Sequence, residues 1–306
     1  MYDTDLMKSF IQTVRSYYKK HPRRMPWRED TSAYSVVISE IMLQQTQVSR
    51  VIEKYNSFVK KFPDWQALAT APTRDVLKEW SGLGYNRRAL YLKRIAKKVM
   101  SSPDFIYLKQ SQPDKVRKPK TSIRRDRFMQ MPAQLQTLPG IGPNTAGSIL
   151  AFAFNMPVPF IETNIRSIFI HFFFHEIEKR EGRATCKKIG DAEIMPFIEK
   201  SLNDRQNHRQ PREWYYALMD YGAYLKHQLP NPSRHSIHHV RQKPFKGSNR
   251  ELRSKMLHII MKEAQSQGSI RRRLKEYRPE DVLHNISDLV HEGFIVRYNG
   301  SYRIAS

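Results

Sequence analysis

Helical periodicity, unbroken through most of the chain, is the feature that most limits what this sequence can fold into. Apolar residues recur at three- and four-residue spacing, and long alternating runs are missing until the last dozen residues. The body therefore reads as all-α. Residues 4–20 form one amphipathic stretch; Pro22 and Pro26 then break the chain before Trp27, which begins an extended entry. Thr31 or Ser32 can cap a helix that carries Val37, Ile38, Ile41 and Met42 on one face, and further helical stretches cover about 48–60 and 88–100.

Two segments interrupt this pattern. Residues 103–130 hold seven Lys or Arg between Lys115 and Arg127, with internal prolines and few large apolar residues, and read as a basic inserted loop. Helical spacing resumes from about 132 to 225, after which residues 227–247, with prolines and scattered basic side chains, read as a linker. Beyond it, Leu252, Met256, Ile259 and Ile260 mark one helix, and Val282, Leu283, Ile286, Leu289 and Val290 mark another. FIVRY and SYRIA flank an Asn-Gly pair of the kind that closes a hairpin. Residues 248–306 thus read as a small winged-helix-like, DNA-binding module.

The chain has 306 residues, with 53 Lys and Arg against 29 Asp and Glu, a formal net charge of +24. Such a surface concentrates polyanions at physiological salt, which makes nucleic acid the leading partner over a merely solubilising surface. No apolar run reaches a membrane span and the charged start lacks a signal-peptide core, so a soluble, cytoplasmic, nucleoid-associated protein is expected. Cys186 stands alone, which rules out an internal disulfide, an all-cysteine zinc site and a four-cysteine iron-sulfur cluster built by this sequence.

The sharpest local signal is LPGIGPNTAGSILAFAF, residues 138–154, where Gly140 and Gly142 permit a tight turn and Pro143 starts a helix. This is a helix-hairpin-helix signature, although a glycine loop between two packed helices has the same elements. Its unpaired amides, followed by Asn144 and Thr145, can face a DNA phosphate without reading sequence. Upstream, SEIMLQQTQV places Glu40, Gln44 and Gln47 on one side of a helix, away from the apolar stripe. Taken alone, that side reads first as a solvated face, where Glu and Gln are common.

Three motifs in the same order, PWRED with TSAYSVVISEIMLQQTQVSRVIEKY, WSGLGYNRRALYL, and LQTLPGIGPNTAGSILAFAF, resemble the MutY-type adenine DNA glycosylases across about 200 residues. The resemblance implies a mainly α fold: a two-lobed helix-hairpin-helix DNA glycosylase core over 1–226, with residues 31–136 in one lobe and 1–30 with 137–226 in the other. It implies excision of adenine opposite 8-oxoguanine or guanine after base flipping, with Glu40 protonating the base and then activating water. Gln44, Gln45 and Gln47 would face DNA. Tyr85 would insert into it, unless it only packs beside its glycines, and Arg87 and Arg88 would flank that face. The family's second carboxylate, an aspartate that stabilises the cationic sugar, aligns with Glu162, which could instead cap its helix or pair with Arg166. Asn144 stands where endonuclease III-like relatives carry a Schiff-base lysine, which implies hydrolysis without strand cleavage. The resemblance also implies a monomer and a carbonyl-lined monovalent cation at the hairpin.

Other features depart from the family. The cluster cysteines are replaced by HQLPNPSRHSIHHVRQ, whose histidines match no common zinc spacing, so no [4Fe-4S] cluster and no other metal is expected. In place of a Nudix-like domain stands the winged-helix pattern. Two competing readings stay open: a thymine or uracil mismatch glycosylase, and a non-catalytic DNA-binding protein.

Overall fold

The computed structural model describes residues 4–111, 125–175, 188–240 and 244–306. In chain order the helices are α1 Thr4–Lys20, α2 Pro26–Glu29, α3 Ala33–Leu43, α4 Val48–Lys61, α5 Trp65–Thr70, α6 Thr73–Trp80, α7 Arg87–Ser101, α8 Ile106–Gln110 and α9 Arg125–Gln136. They continue as α10 Pro143–Phe154, α11 Thr163–Ile170, α12 Asp191–Leu202, α13 Arg205–Arg209, α14 Pro211–Gln228, α15 Asn249–Lys262, α16 Gln267–Arg273 and α17 Pro279–His291. Three short strands, β1 Gln265–Ser266, β2 Ile295–Tyr298 and β3 Ser301–Ile304, complete the described part. None of these helices is long and apolar enough to cross a membrane. The stretch expected to be extended at Trp27 is the single helical turn α2, because Pro26 supplies a helical φ at its first position.

The described residues form two compact units. The first combines 4–36, 125–136 and 141–240. Its core is aromatic: the Phe10 ring lies 5.0 Å from Phe169, 5.1 Å from Phe173 and 5.9 Å from Trp214. α1 and α11 both pack on α14. The N-terminal PRRMPWRED segment is fixed to α14 by ion pairing rather than by apolar burial. The fully buried Asp220 carboxylate accepts from Arg23 Nε at 2.6 Å and from Arg28 Nη2 at 2.8 Å, and Arg28 also lies 4.3 Å from the Tyr216 ring centre. Two cations on one buried carboxylate hold together only because every lone pair of the carboxylate is engaged.

The second unit combines 37–111, 137–140 and 244–306. α5 and α6 pack on α7, and the Trp65 indole donates to the Leu108 carbonyl at 3.1 Å. The C-terminal residues build the winged-helix-like module, with an antiparallel sheet in the order β1-β3-β2 in which Arg297 faces Tyr302. Asn299 and Gly300, at φ +44° and +73°, are both left-handed, as the tight hairpin turn demands. The module docks on the helices of its own unit: Arg74 donates to the Lys262 carbonyl, Arg94 to the Glu292 carbonyl at 2.8 Å, and Arg87 to the Glu292 carboxylate, which Arg253 of the module also holds.

These divisions differ from boundaries drawn on composition. Residues 31–36 group with the first unit, where Asp30 accepts the Ser32 amide and the Ser35 hydroxyl. The segment read as a linker is, over 229–240, part of the first unit: Pro232, Ser233 and Ser236 are buried, and Ile189 pairs with Ser236 in a parallel bridge. The flank of the basic insertion is also ordered, with Phe105, Tyr107 and Leu108 buried around α8. The centre of that insertion, 112–124, and Cys186 lie outside the described residues.

Candidate nucleic-acid site

In the second unit the site begins with an anomaly of burial. Residues 31–39 are buried without exception, and α3 continues with Ile41 and Met42 buried, yet Glu40 between them is half-exposed. Glu40 is the one formally charged side chain in AYSVVISEIML. A solvated face would carry several polar residues; a lone carboxylate emerging from an apolar helix is instead the arrangement that active sites use.

The end of α3 is fastened by Arg88, which the sequence placed at a DNA face. The structure corrects this: Arg88 is 5% exposed and its guanidinium donates to the carbonyls of Ile41 and Met42, each at 2.9 Å, and to that of Gln44. Its other arm reaches Thr46 Oγ1 at 2.9 Å and the carbonyls of Leu83 and Gly84 at 3.3 and 3.1 Å. One fork thus caps the C-terminus of α3, where a cation is favoured, and ties it to the WSGLGY turn. Burial pushes this guanidinium down to about 10. Arg87 is likewise engaged, with Glu292.

Two of the four non-glycine residues with left-handed backbone among those described are asparagines, which adopt it cheaply; the other two are Gln45 at φ +56° and Tyr85 at φ +47°. Both line one groove of about 440 Å³, together with Gln44, Arg88, Asn249 and Arg250. Strain of this kind persists where surrounding structure enforces it, and it marks functional turns. Gln45 and Gln47 are exposed, Gln47 as the N-cap residue of α4. The Gln44 amide is turned to the hairpin and donates to the Gly140 carbonyl at 3.0 Å. Gly140 itself, at φ +79°, has no room for a side chain: a Cβ there would lie 2.5 Å from the Tyr91 ring.

In the first unit, Gly142 ends the hairpin turn and Pro143 opens α10. Asn144 is exposed, but its Oδ1 accepts the Ile161 amide at 3.2 Å, so it ties α10 to the strand-like approach to Glu162. Thr145 follows, half-buried in the first turn of α10. Glu162 is the N-cap residue of α11: Oε1 accepts from the amides of Asn164 and Ile165 at 2.8 and 3.0 Å, and Oε2 from the Asn164 side chain at 3.3 Å. Arg166 pairs not with Glu162 but with Asp191, at 2.7 Å. Sequence reasoning missed the next layer. Lys226 donates to Asn164 Oδ1 at 2.8 Å, and burial pushes its ammonium down while the Glu162 charge works the other way. Gly222 lets α14 come close enough, since a Cβ there would lie 2.4 Å from the Asn164 carbonyl. Small residues one turn before a lysine were the available signal. Among the described residues no group of three or more His, Cys, Asp or Glu could hold a metal ion.

A model of the HhH-GPD superfamily base excision DNA repair proteins matches residues 38–191, which include Glu40, the Tyr85 turn, the hairpin and Glu162. The adenine DNA glycosylase of Buchnera aphidicola subsp. Baizongia pistaciae is 34% identical over 217 residues, 71% of this chain and 52% of that protein. That of Mycobacterium tuberculosis is 34% identical over 157 residues, 50% of this chain and 44% of that protein. The chain therefore spans about half the length of the curated relatives it matches. Among solved structures, a thermostable thymine-DNA glycosylase shares the fold at TM-score 0.51 and 19% identity, over 72% of this chain and 87% of that one. The chain belongs to the HhH-GPD superfamily of base excision DNA repair proteins.

Proposed function

We propose that this protein is a monofunctional DNA glycosylase that removes adenine mispaired with 8-oxoguanine or guanine, acting as a monomer on chromosomal DNA in the cytoplasm. The observation that carries the reading is Glu40, a single half-exposed carboxylate on a helix that is buried at every other position except its last, Leu43, and whose end is locked by Arg88. The chain is 34% identical to relatives named adenine DNA glycosylases over the matched lengths. Once the adenine has left the helix stack, the Glu40 carboxyl gives its proton to a ring nitrogen, and the bond to the sugar breaks with its electron pair leaving on the base. The carboxylate then takes a proton from water as the water oxygen bonds to the sugar carbon.

Glu162 supplies the second charge. Held by three N–H donors at a helix N-terminus, it is a fixed carboxylate of the kind that stabilises a cationic sugar. Asn144 has no amine with which to form an imine, so the product is an abasic site and no strand break. No iron-sulfur cluster takes part, since the sequence holds a single cysteine. A monovalent cation at the hairpin belongs to the same reading: after accepting Gln44, the Gly140 carbonyl retains the second lone pair that such an ion needs.

The test is single-turnover cleavage, after alkali, of duplexes with A opposite 8-oxoguanine, A opposite G, T opposite G and U opposite G. Wild type should excise only adenine, and Glu40→Gln should lose roughly 100-fold or more. Excision confined to T or U, or tight binding without excision, would overturn the reading, and borohydride trapping of the wild type on abasic DNA would overturn its monofunctional part.

A further inference from the structure

The C-terminal module has the helix order in which the third helix, here α17, ordinarily enters the major groove. Its chemistry opposes that role. PEDVLHNISDLVH contains neither Lys nor Arg; Glu280 and Asp281 occupy its first turn, and Asp288 follows. In a chain of net charge +24, a helix of this composition is repelled by phosphates. Its far end is also occupied, because Glu292 binds Arg87 and Arg253 through its carboxylate and Arg94 through its carbonyl. α17 is thus placed as a docking helix.

The first turn of α15 has the opposite character. Arg250 Nη1 donates to the Tyr85 hydroxyl at 3.0 Å, and its guanidinium lies 5.1 Å from the Tyr85 ring centre. Asn249 and Arg250 form one wall of the groove that holds Gln44, Gln45 and the left-handed Tyr85. Buried Arg88 backs the Tyr85 ring, its guanidinium 5.4 Å from the ring centre, and is engaged by the acceptors already described. Amides, an aromatic face and the Arg250 guanidinium are the chemistry that binds a nucleic-acid strand, by stacking and by phosphate contact.

We infer that the module joins the DNA-binding face through the first turn of α15 and not through α17, with Arg250 both contacting the duplex and positioning Tyr85. The inference rests on duplex DNA being the substrate, but not on which base is excised.

The experiment uses the full chain and a duplex in which a tetrahydrofuran abasic analogue stands opposite guanine, so that binding is read without turnover. Arg250→Ala should raise Kd about tenfold and flatten the slope of log Kd against log salt by about one phosphate contact. Arg250→Lys should keep the slope while still weakening binding, because it retains the charge and loses the planar contact with the ring. His284→Glu, which adds a charge to the exposed side of α17, should change Kd less than threefold. The inference is overturned if Arg250→Ala leaves both Kd and slope unchanged, if it weakens binding with the slope intact, as a merely structural role would, or if His284→Glu abolishes binding. If wild type and variants behave as expected here but adenine is not excised, the enzymatic reading fails and this one stands.

Discussion

Replacing Arg88 by Met keeps most of the side-chain volume and removes the fork that joins α3 to the Tyr85 turn. Four guanidinium N–H groups shared among six acceptors are lost, the carbonyls of Ile41, Met42, Gln44, Leu83 and Gly84 and Thr46 Oγ1, of which the Gly84 carbonyl keeps the Trp80 indole as a donor. At about 1.5 kcal/mol for each of these four charged donors, the gross loss is roughly 6 kcal/mol. Against it stands the cost of keeping a guanidinium buried. The group is pushed down to about 10, which at about 1.4 kcal/mol per tenfold amounts to roughly 3 kcal/mol. Water entering the groove satisfies some of the freed carbonyls, leaving a net loss of about 2–3 kcal/mol, at the lower edge of the usual cost of removing one side of a buried charged network. Guanidinium unfolding followed by tryptophan fluorescence reads this directly, since Trp80 lies 5.2 Å from the guanidinium. The excision rate should fall further than stability alone explains, because Glu40 sits one residue before the first carbonyl that Arg88 holds. A loss below about 1 kcal/mol, with an unchanged rate, would refute the view that Arg88 fixes this end of the site.

Asp220→Ala strands two arginines on the first unit and should cost about 3–5 kcal/mol, seen as a large drop in unfolding midpoint; a near-neutral result would mean that water replaces the carboxylate. Lys93 is buried beside Thr73, and burial, with Lys97 adding to it, pushes its ammonium down. The folded chain therefore holds that proton less tightly than the unfolded chain. The penalty is present at neutral pH and is relieved as pH rises towards the ordinary lysine range, so Lys93→Met should raise Tm by about 2–4 °C at pH 7 and by less near pH 10. Equal gains at both pH values would refute the assignment. Glu162→Gln retains an oxygen for the cap but removes the charge, so excision should fall roughly 100-fold with Tm almost unchanged; an unaltered rate would leave Glu162 as a cap alone.

How much of this was legible beforehand depends on the range of the forces involved. Helix positions, the Pro143 start of α10, the glycine turns and the Asn-Gly hairpin follow from local sterics and spacing, and the sequence alone determined them. Net charge and the lone cysteine are likewise properties of composition. Arg88 was misread because two adjacent arginines look alike in a sequence, and only packing sends one to Glu292 and buries the other under six acceptors. The strap over 229–240 was misread because its burial comes from Pro232, Ser233 and Ser236, which carry no apolar period. Lys226 behind Asn164 and Arg250 on Tyr85 join residues 62 and 165 positions apart. Such contacts depend on how helices pack, and no local pattern in the chain encodes them; tertiary structure alone decided them.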